Sequence, residues 1–376
     1  MNDNTNINPT APKKPMPTDP TTDANQDAAP DAITVADVEG TESPNALTEL
    51  PEGVTPEDAD RVRRYVEAGK APETARVYKV QWTQFETWCN QRGADPLPAR
   101  PEVVASYLTE RGADRSTAWV TQARSAIRNE HEMCGMDSPT EHTGVTKAVN
   151  GLRRKHGTPS TSKAALLLEE LRAMVHAVTP ENDLPPDAPA KERGNYLRGL
   201  RDRALLLLGY AGALRRSELA TIRAEQISWN EHGFELQIPR SKGDQEGKGA
   251  VVGINKGNGL CPVRALRTWM NAAGIESGPI FRAVPWYGKV DADPEATPIT
   301  GTTVRNVVVD AAEAAGLDGD YAGHSLRRGH ITQAALNGAA LPALQRQARH
   351  ASPATTSGYI EDARRMETNT SRMLGL

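Results

Sequence analysis

His324-Ser325-Leu326-Arg327 and, further on, Arg349-His350-Ala351-Ser352-Pro353-Ala354-Thr355-Thr356-Ser357-Gly358-Tyr359 form the most informative stretch of the chain. Arginine and protonated histidine suit a phosphate, and a tyrosine hydroxyl can act as a covalent nucleophile. The two motifs are embedded in helical patterns at Ser325–Ala335 and Leu341–Ala348. The phosphate-friendly groups therefore sit on or beside helices, with the remaining cations to be found upstream.

Working upstream, helical patterns cover Thr302–Ala315 and Pro262–Ala273. Before them, Gly233-Phe234-Glu235-Leu236-Gln237-Ile238 alternates and Ala250-Val251-Val252-Gly253-Ile254 answers it. The Gly-rich, charged segment between them predicts a β-hairpin. Gly212 through Leu219 reads as a turn entering a short helix, and a long helix precedes it from about Gly194 to Ala211. The run Leu205–Leu208 in that helix is expected to be buried. Leu166–Val178 reads as a further helix. Thr179–Ala190 and Ala283–Pro298 are expected to be surface loops.

Residues 157–163 hold breakers and small polar residues without an apolar anchor, which predicts an interdomain linker. The segment before it, residues 51–156, carries four or five helical patterns and almost no strand pattern. Helices are expected from about Thr55, from Ala71 or Pro72 to Gln91, over Pro101–Arg111, Ser116–Cys134 and Thr143–His156. The aromatics Trp82, Phe85, Trp88 and Trp119 fall at helical spacing and are expected in the core. The basic residues Arg76, Lys79, Arg124, Arg128, Lys147, Arg153, Arg154 and Lys155 are candidate phosphate contacts, or ordinary solvated helix faces.

Residues 1–50 are rich in Pro, Thr, Asn, Asp and Ala and contain no aromatics, so they read as a disordered acidic tail. The first 60 residues hold 13 Asp and Glu against 2 Lys, a local charge of −11; the formal total of −4 thus leaves +7 on the remainder. A mildly basic body is compatible with nucleic acid. No apolar run approaches the ~20 residues of a membrane span, and no secretory signal is visible. Cys89, Cys134 and Cys261 are too far apart for a zinc motif and fit reduced thiols, so a cytoplasmic, nucleoid-associated location is expected. Lys248 is followed by Gly249, so the phosphate-loop pattern is missing. Neither cofactor nor metal is expected.

Arg215-x-x-Glu218, the hairpin Lys242, His324-x-x-Arg327, His350 and Tyr359 occur in that order. Together they resemble the tyrosine recombinase (phage integrase) family, of the simple Cre- and Xer-like kind. The resemblance implies a mainly α fold with a small antiparallel β-sheet. It implies a C-shaped clamp of two domains, an all-α core-binding domain and an α+β catalytic domain over residues 164–376. It makes Arg215, Lys242, His324, Arg327, His350 and Tyr359 the catalytic set, with Glu218 supporting. Arg216 is the alternative first arginine, Lys248 the alternative lysine, and Arg240 a DNA contact. Arg328 and His330 have no motif role, and His330 is expected to be structural.

The implied chemistry is consistent with these residue types. Two guanidiniums can hold the nonbridging oxygens of a phosphodiester and stabilise the charge that builds there. A tyrosine of ordinary pKa ~10 needs a positive environment or a base to become a good nucleophile. An ammonium on a hairpin can protonate the 5′-oxygen as it leaves. The family resemblance further implies a 3′-phosphotyrosine intermediate, a Holliday junction, DNA sites with inverted-repeat half-sites, and a homotetramer on two DNA duplexes joined through the C-terminal tail. The competing readings are a catalytically inactive DNA-binding accessory protein and a type IB topoisomerase or telomere resolvase.

Overall fold

The computed structural model describes residues 53, 55–69, 72–156, 164–239, 249–364 and 370–374. The acidic tail, the expected linker, Arg240, Lys242 and Lys248 lie outside the described residues. The chain divides into two compact units, Met1–Pro159 and Ser160–Leu376.

The first unit is all-helical: α1 (Pro56–Ala68), α2 (Pro72–Asn90), α3 (Pro101–Gly112), α4 (Thr117–Met133) and α5 (Thr143–His156). Ser116 caps α4 by accepting from the Trp119 amide at 3.2 Å. On α2, Gln81, Phe85, Trp88 and Cys89 are buried, a spacing of three and four that puts them on one face. Their rings converge on Tyr107 of α3, which lies 5.1 Å from Phe85, 5.4 Å from Trp88 and 5.9 Å from Trp119. Tilted and edge-on pairs of this kind are worth about 0.5–1.5 kcal/mol each beyond the area they bury. The four sequence-flagged aromatics are thus core or core-lining, with Trp82 and Trp119 half-buried. His131 of α4 is fully buried; its Nε2 accepts from the Ala99 amide at 2.9 Å and its Nδ1 meets the Ile127 carbonyl at 2.8 Å.

The second unit is built around α7 (Ala190–Ala211), whose Leu205–Leu208 run is buried as expected. Around it pack α6 (Leu168–Val178), α8 (Arg216–Ala220), α9 (Pro262–Ala273), α10 (Gly301–Ala314) and α11 (Gly323–Leu336). The last elements are α12 (Leu341–Ala348) and α13 (Pro353–Arg364), which pack on each other and on α11. A three-stranded antiparallel sheet runs β1 (Ile227–Trp229), β2 (Gly233–Ile238), β3 (Ala250–Asn255), in that order. Phe234 pairs with Ile254 and Leu236 with Val252, all buried, while Glu235 and Gln237 face out. That is the alternation a half-buried strand requires.

The structure corrects the sequence reading at five places. β1 is an additional strand, formed by pairing Ile227 with Leu236. α6 starts at Leu168, after an extended lead-in from Ala164 to Leu167. α7 begins at Ala190, four residues earlier than its apolar period indicates. Gly194 lies inside it because a Cβ there would come 2.2 Å from the Trp286 carbonyl oxygen. Tyr359 sits on a full helix, α13. Finally, 283–298 is not a plain surface loop: Val284, Val290 and Ala296 are buried. Beside them the fully buried Arg282 donates to the carbonyls of Pro279, Asp291 and Ser277 at 2.6, 2.5 and 2.5 Å. Cys89, Cys134 and Cys261 are all free thiols.

Candidate active site

Four local features bring the polar residues of the second unit together. The α7–α8 turn presents Arg215, the first turn of α11 presents His324 and Arg327, the end of α12 presents His350, and α13 presents Tyr359.

At the first feature, Arg215 is the N-cap of α8. Its amide donates to Glu218 Oε2 at 2.8 Å and its Nη1 to Glu218 Oε1 at 2.7 Å, so the carboxylate fixes both backbone and guanidinium. Arg215 Nη2 donates to the Arg349 carbonyl at 3.1 Å. Its side chain keeps 21% exposure, which leaves an edge open to a ligand.

Arg327 is almost fully buried and donates to the carbonyls of Ala213 (2.8 Å) and Ala348. Burial, then the neighbouring Arg215 and Arg349, push its pKa down to about 10, still cationic at neutral pH. The site therefore concentrates positive charge where solvent is largely excluded, a preorganised setting for an anion.

Tyr359 Oη lies 3.3 Å from His324 Nε2. The Tyr359 ring is stacked on His350, with centroids 5.8 Å apart at 18°. His350 Nδ1 meets the Oγ1 of the fully buried Thr356 at 2.8 Å. Both histidines are held neutral. Burial and then Arg327, Arg328 and Arg215 depress the His324 pKa. Burial and then Arg327 and Arg215 take His350 down to about 4. A neutral imidazole at 3.3 Å can accept the phenol proton.

Residues 191–366 match the model of the phage integrase family. The chain is 33% identical over 315 residues to the integrase/recombinase xerD homolog of Selenomonas ruminantium, covering 82% of this chain and 87% of that relative. The chain belongs to the phage integrase family of tyrosine recombinases. It is also 24% identical over 309 residues to recombinase cre of Escherichia phage P1, covering 78% of this chain and 84% of that protein. Among solved structures, the XerH site-specific recombinase bound to palindromic difH substrate, a post-cleavage complex, has the same fold. It matches with a TM-score of 0.55 at 14% identity over 80% of each chain.

In this recombinase, Arg215, Glu218, His324, Arg327, His350 and Tyr359 are gathered in one site. Arg216 is exposed, on the far side of the capped turn, and packs by Gly301 and Gly323. Arg328, given no role by the motif, lies over the Tyr359 ring at 5.6 Å and donates to Asp362 at 3.4 Å. His330 is half-buried against Tyr210, 6.1 Å ring to ring. Two residues beyond the motif complete the site. Thr356 holds His350, and Arg349 shares the Glu218 carboxylate with Arg215 at 2.7 Å. The Thr356 contact has a sequence signal in the run of small hydroxyl residues before Tyr359; Arg349 has none.

On the first unit, Arg124, Arg128 and Arg153 line one cleft of about 270 Å³ with Thr121 and Ser125. Arg124 spends part of its donor capacity on the Thr140 carbonyl at 2.8 Å, and Arg128 on Glu132 at 2.9 Å. Arg76 pairs with Glu73 at 2.6 Å. Lys79, Lys147, Arg154 and Lys155 are exposed. Among the described residues no helix is long and apolar enough to cross a membrane, and no cluster of three His, Cys, Asp or Glu could hold a metal.

Proposed function

We propose that this recombinase is a site-specific DNA strand transferase that works through a covalent 3′-phosphotyrosine. The carrying observation is the Tyr359 hydroxyl 3.3 Å from a neutral His324 and beside the Arg215–Arg327 cation pair. The substrate is double-stranded DNA, in keeping with the names of the relatives. Arg215 and Arg327 hold the nonbridging oxygens of the scissile phosphate. His324 takes the phenol proton as the Tyr359 Oη–P bond forms. The P–O5′ bond breaks, and Lys242 donates a proton to the departing 5′-oxygen. With Thr356 on Nδ1, His350 presents Nε2–H to the phosphate. The phosphotyrosine bond conserves the energy of the phosphodiester, so attack by a 5′-hydroxyl of a second strand reseals the backbone and yields a Holliday junction.

In this reading, residues 51–156 form the core-binding domain and 164–376 the catalytic domain, joined by 157–163. The basic cleft of the first unit and the exposed lysines contact DNA phosphates. Four copies assemble on two DNA sites with inverted-repeat half-sites, each C-terminal tail docking on its neighbour. The exposed Leu374, beyond α13, supports a tail with apolar surface to bury. The protein acts in the cytoplasm, on the nucleoid.

The test is to incubate the purified protein with randomised nicked duplexes, trap adducts in detergent and sequence the DNA that stays protein-bound. Adducts that converge on one sequence and vanish in Tyr359→Phe support the reading. Absence of adducts with the wild-type chain leaves a DNA-binding accessory protein. Sequence-independent relaxation of supercoils would point to a topoisomerase.

A further inference from the structure

Arg349 is in the left-handed backbone region, at φ 54° and ψ 47°, where it ends α12. Among the described residues, only Ala213 (φ 45°) is another non-glycine with positive φ. An L side chain in this region is strained and a glycine is not. The strain at 349 is therefore retained together with a side chain that does something glycine cannot.

That side chain is only 6% exposed and bridges two turns. Arg349 Nη2 donates to Glu218 Oε2 at 2.7 Å and to the Ala213 carbonyl at 3.1 Å. Its Nη1 donates to Gly212 at 3.2 Å and to its own turn at Gln347, 2.8 Å. In return the Arg349 carbonyl accepts from Arg215. Ala213, the second strained residue, accepts from both Arg349 and Arg327. The two strained residues are thus the two ends of one hydrogen-bonded clasp. One end carries Arg215; the other is followed directly by His350 and then by α13 with Tyr359.

We infer that Arg349 is a positioning residue of this active site: its guanidinium clamps the 212–218 turn to the 347–350 turn and shares Glu218 with Arg215, so that His350, Tyr359 and Arg215 are held in one geometry. It touches no reacting atom. Glu218 satisfied by Arg215 alone would draw that guanidinium inward; with Arg349 on its second oxygen, the outer edge of Arg215 stays directed at the ligand. The inference rests on the proposed strand-transfer reading for its kinetic consequence only, since the clasp itself is independent of DNA.

The test uses the full chain carrying Arg349→Gly, which suits the left-handed turn but removes the guanidinium, and Arg349→Lys, which keeps a charge but cannot span the four acceptors. Two readouts are taken: the His350 titration midpoint in free protein, by NMR of ¹³C-labelled histidine, and single-turnover cleavage at saturating trapped-site DNA. In Arg349→Gly the His350 midpoint is expected to rise by at least about one pH unit as the turn opens to water. The cleavage rate is expected to fall on the order of 10²-fold at unchanged DNA affinity. Arg349→Lys is expected to fall between. A folded Arg349→Gly with wild-type midpoint and rate overturns the inference. If the glycine variant does not fold, a lysine variant indistinguishable from wild type overturns it. Failure of the wild-type chain to cleave would instead sink the strand-transfer reading, and the NMR arm would still decide the role of Arg349.

Discussion

The Tyr359 hydroxyl and His324 Nε2 stand 3.3 Å apart although 35 positions separate them in sequence, because α13 folds back on α11. Burial, then Arg327, Arg328 and Arg215, keep His324 neutral below the ordinary histidine range. The proton-accepting form therefore persists into mildly acidic solution. Single-turnover cleavage at subsaturating DNA is expected to be level above about pH 6.5 and to fall only below it. His324→Ala should cost about 10²–10⁴-fold in rate with little change in DNA affinity. Arg328→Gln, which removes one of the repelling cations, should move the acid limb to higher pH. An acid limb that stays in place in Arg328→Gln, or full activity without the imidazole, would rule out His324 as the proton acceptor.

Thr356 is fully buried and its Oγ1 meets His350 Nδ1 at 2.8 Å. A donated hydroxyl proton there fixes the tautomer with hydrogen on Nε2. Thr356→Val keeps the shape and deletes the partner, leaving a buried ring nitrogen unsatisfied at about 1–3 kcal/mol. Cleavage is expected to drop by roughly 10-fold or more, since each 1.36 kcal/mol is tenfold in rate. Thr356→Ser should restore it, because the hydroxyl alone is required. Equal losses in the valine and serine variants would place the effect in packing instead.

Gly329 sets the seat of α11. A Cβ at this position would come 1.8 Å from the Leu166 carbonyl oxygen, on the extended segment whose Leu166 amide donates to Ser325 at 3.3 Å. Neither partner is a flexible side-chain end, so backbone must move. Gly329→Ala is expected to destabilise the second unit by about 1–3 kcal/mol or more. It should also lower cleavage beyond what the lost fold accounts for, since α11 carries both His324 and Arg327. A thermal melt and a cleavage assay at wild-type levels would show that the segment yields freely.

These contacts mark where the sequence is readable and where it is not. The β2–β3 hairpin and helices α5, α9 and α12 follow from alternation, Pro at the first helical turn and Gly beyond the last, all local signals. β1 does not, because Ile227-Ser228-Trp229 has too few residues to alternate and is a strand only through pairing with β2. α13 is built from Ala354-Thr355-Thr356-Ser357-Gly358, poor helix formers held by packing on α11 and α12. The start of α7 is charged, and its Gly194 is explained only by the 283–298 segment lying on it. The motif residues of the site are legible because their types carry the chemistry. Arg349 is not, since its role depends on a backbone angle and on Glu218, 131 positions away.

The first unit makes a prediction of its own through His131. This imidazole is fully buried, accepts from the Ala99 amide and faces the Ile127 carbonyl. Burial depresses its pKa, and the opposing pull of the Ile127 carbonyl and Glu130 does not compensate. In the unfolded chain the same group titrates near 6.5. Above about pH 7.5 neither state holds the proton, and stability is insensitive to it. Below pH 6.5 the unfolded chain binds a proton that the folded unit refuses, so stability falls as pH drops, by up to about 1.4 kcal/mol per pH unit until the folded pKa is reached. Urea melts of the full chain between pH 5 and 8, followed by fluorescence, should show this loss. His131→Gln removes the titration while keeping an amide-accepting oxygen, so the difference between wild type and variant should shrink toward acid pH. A difference that is constant across the range would mean that His131 titrates in the folded unit as it does in water.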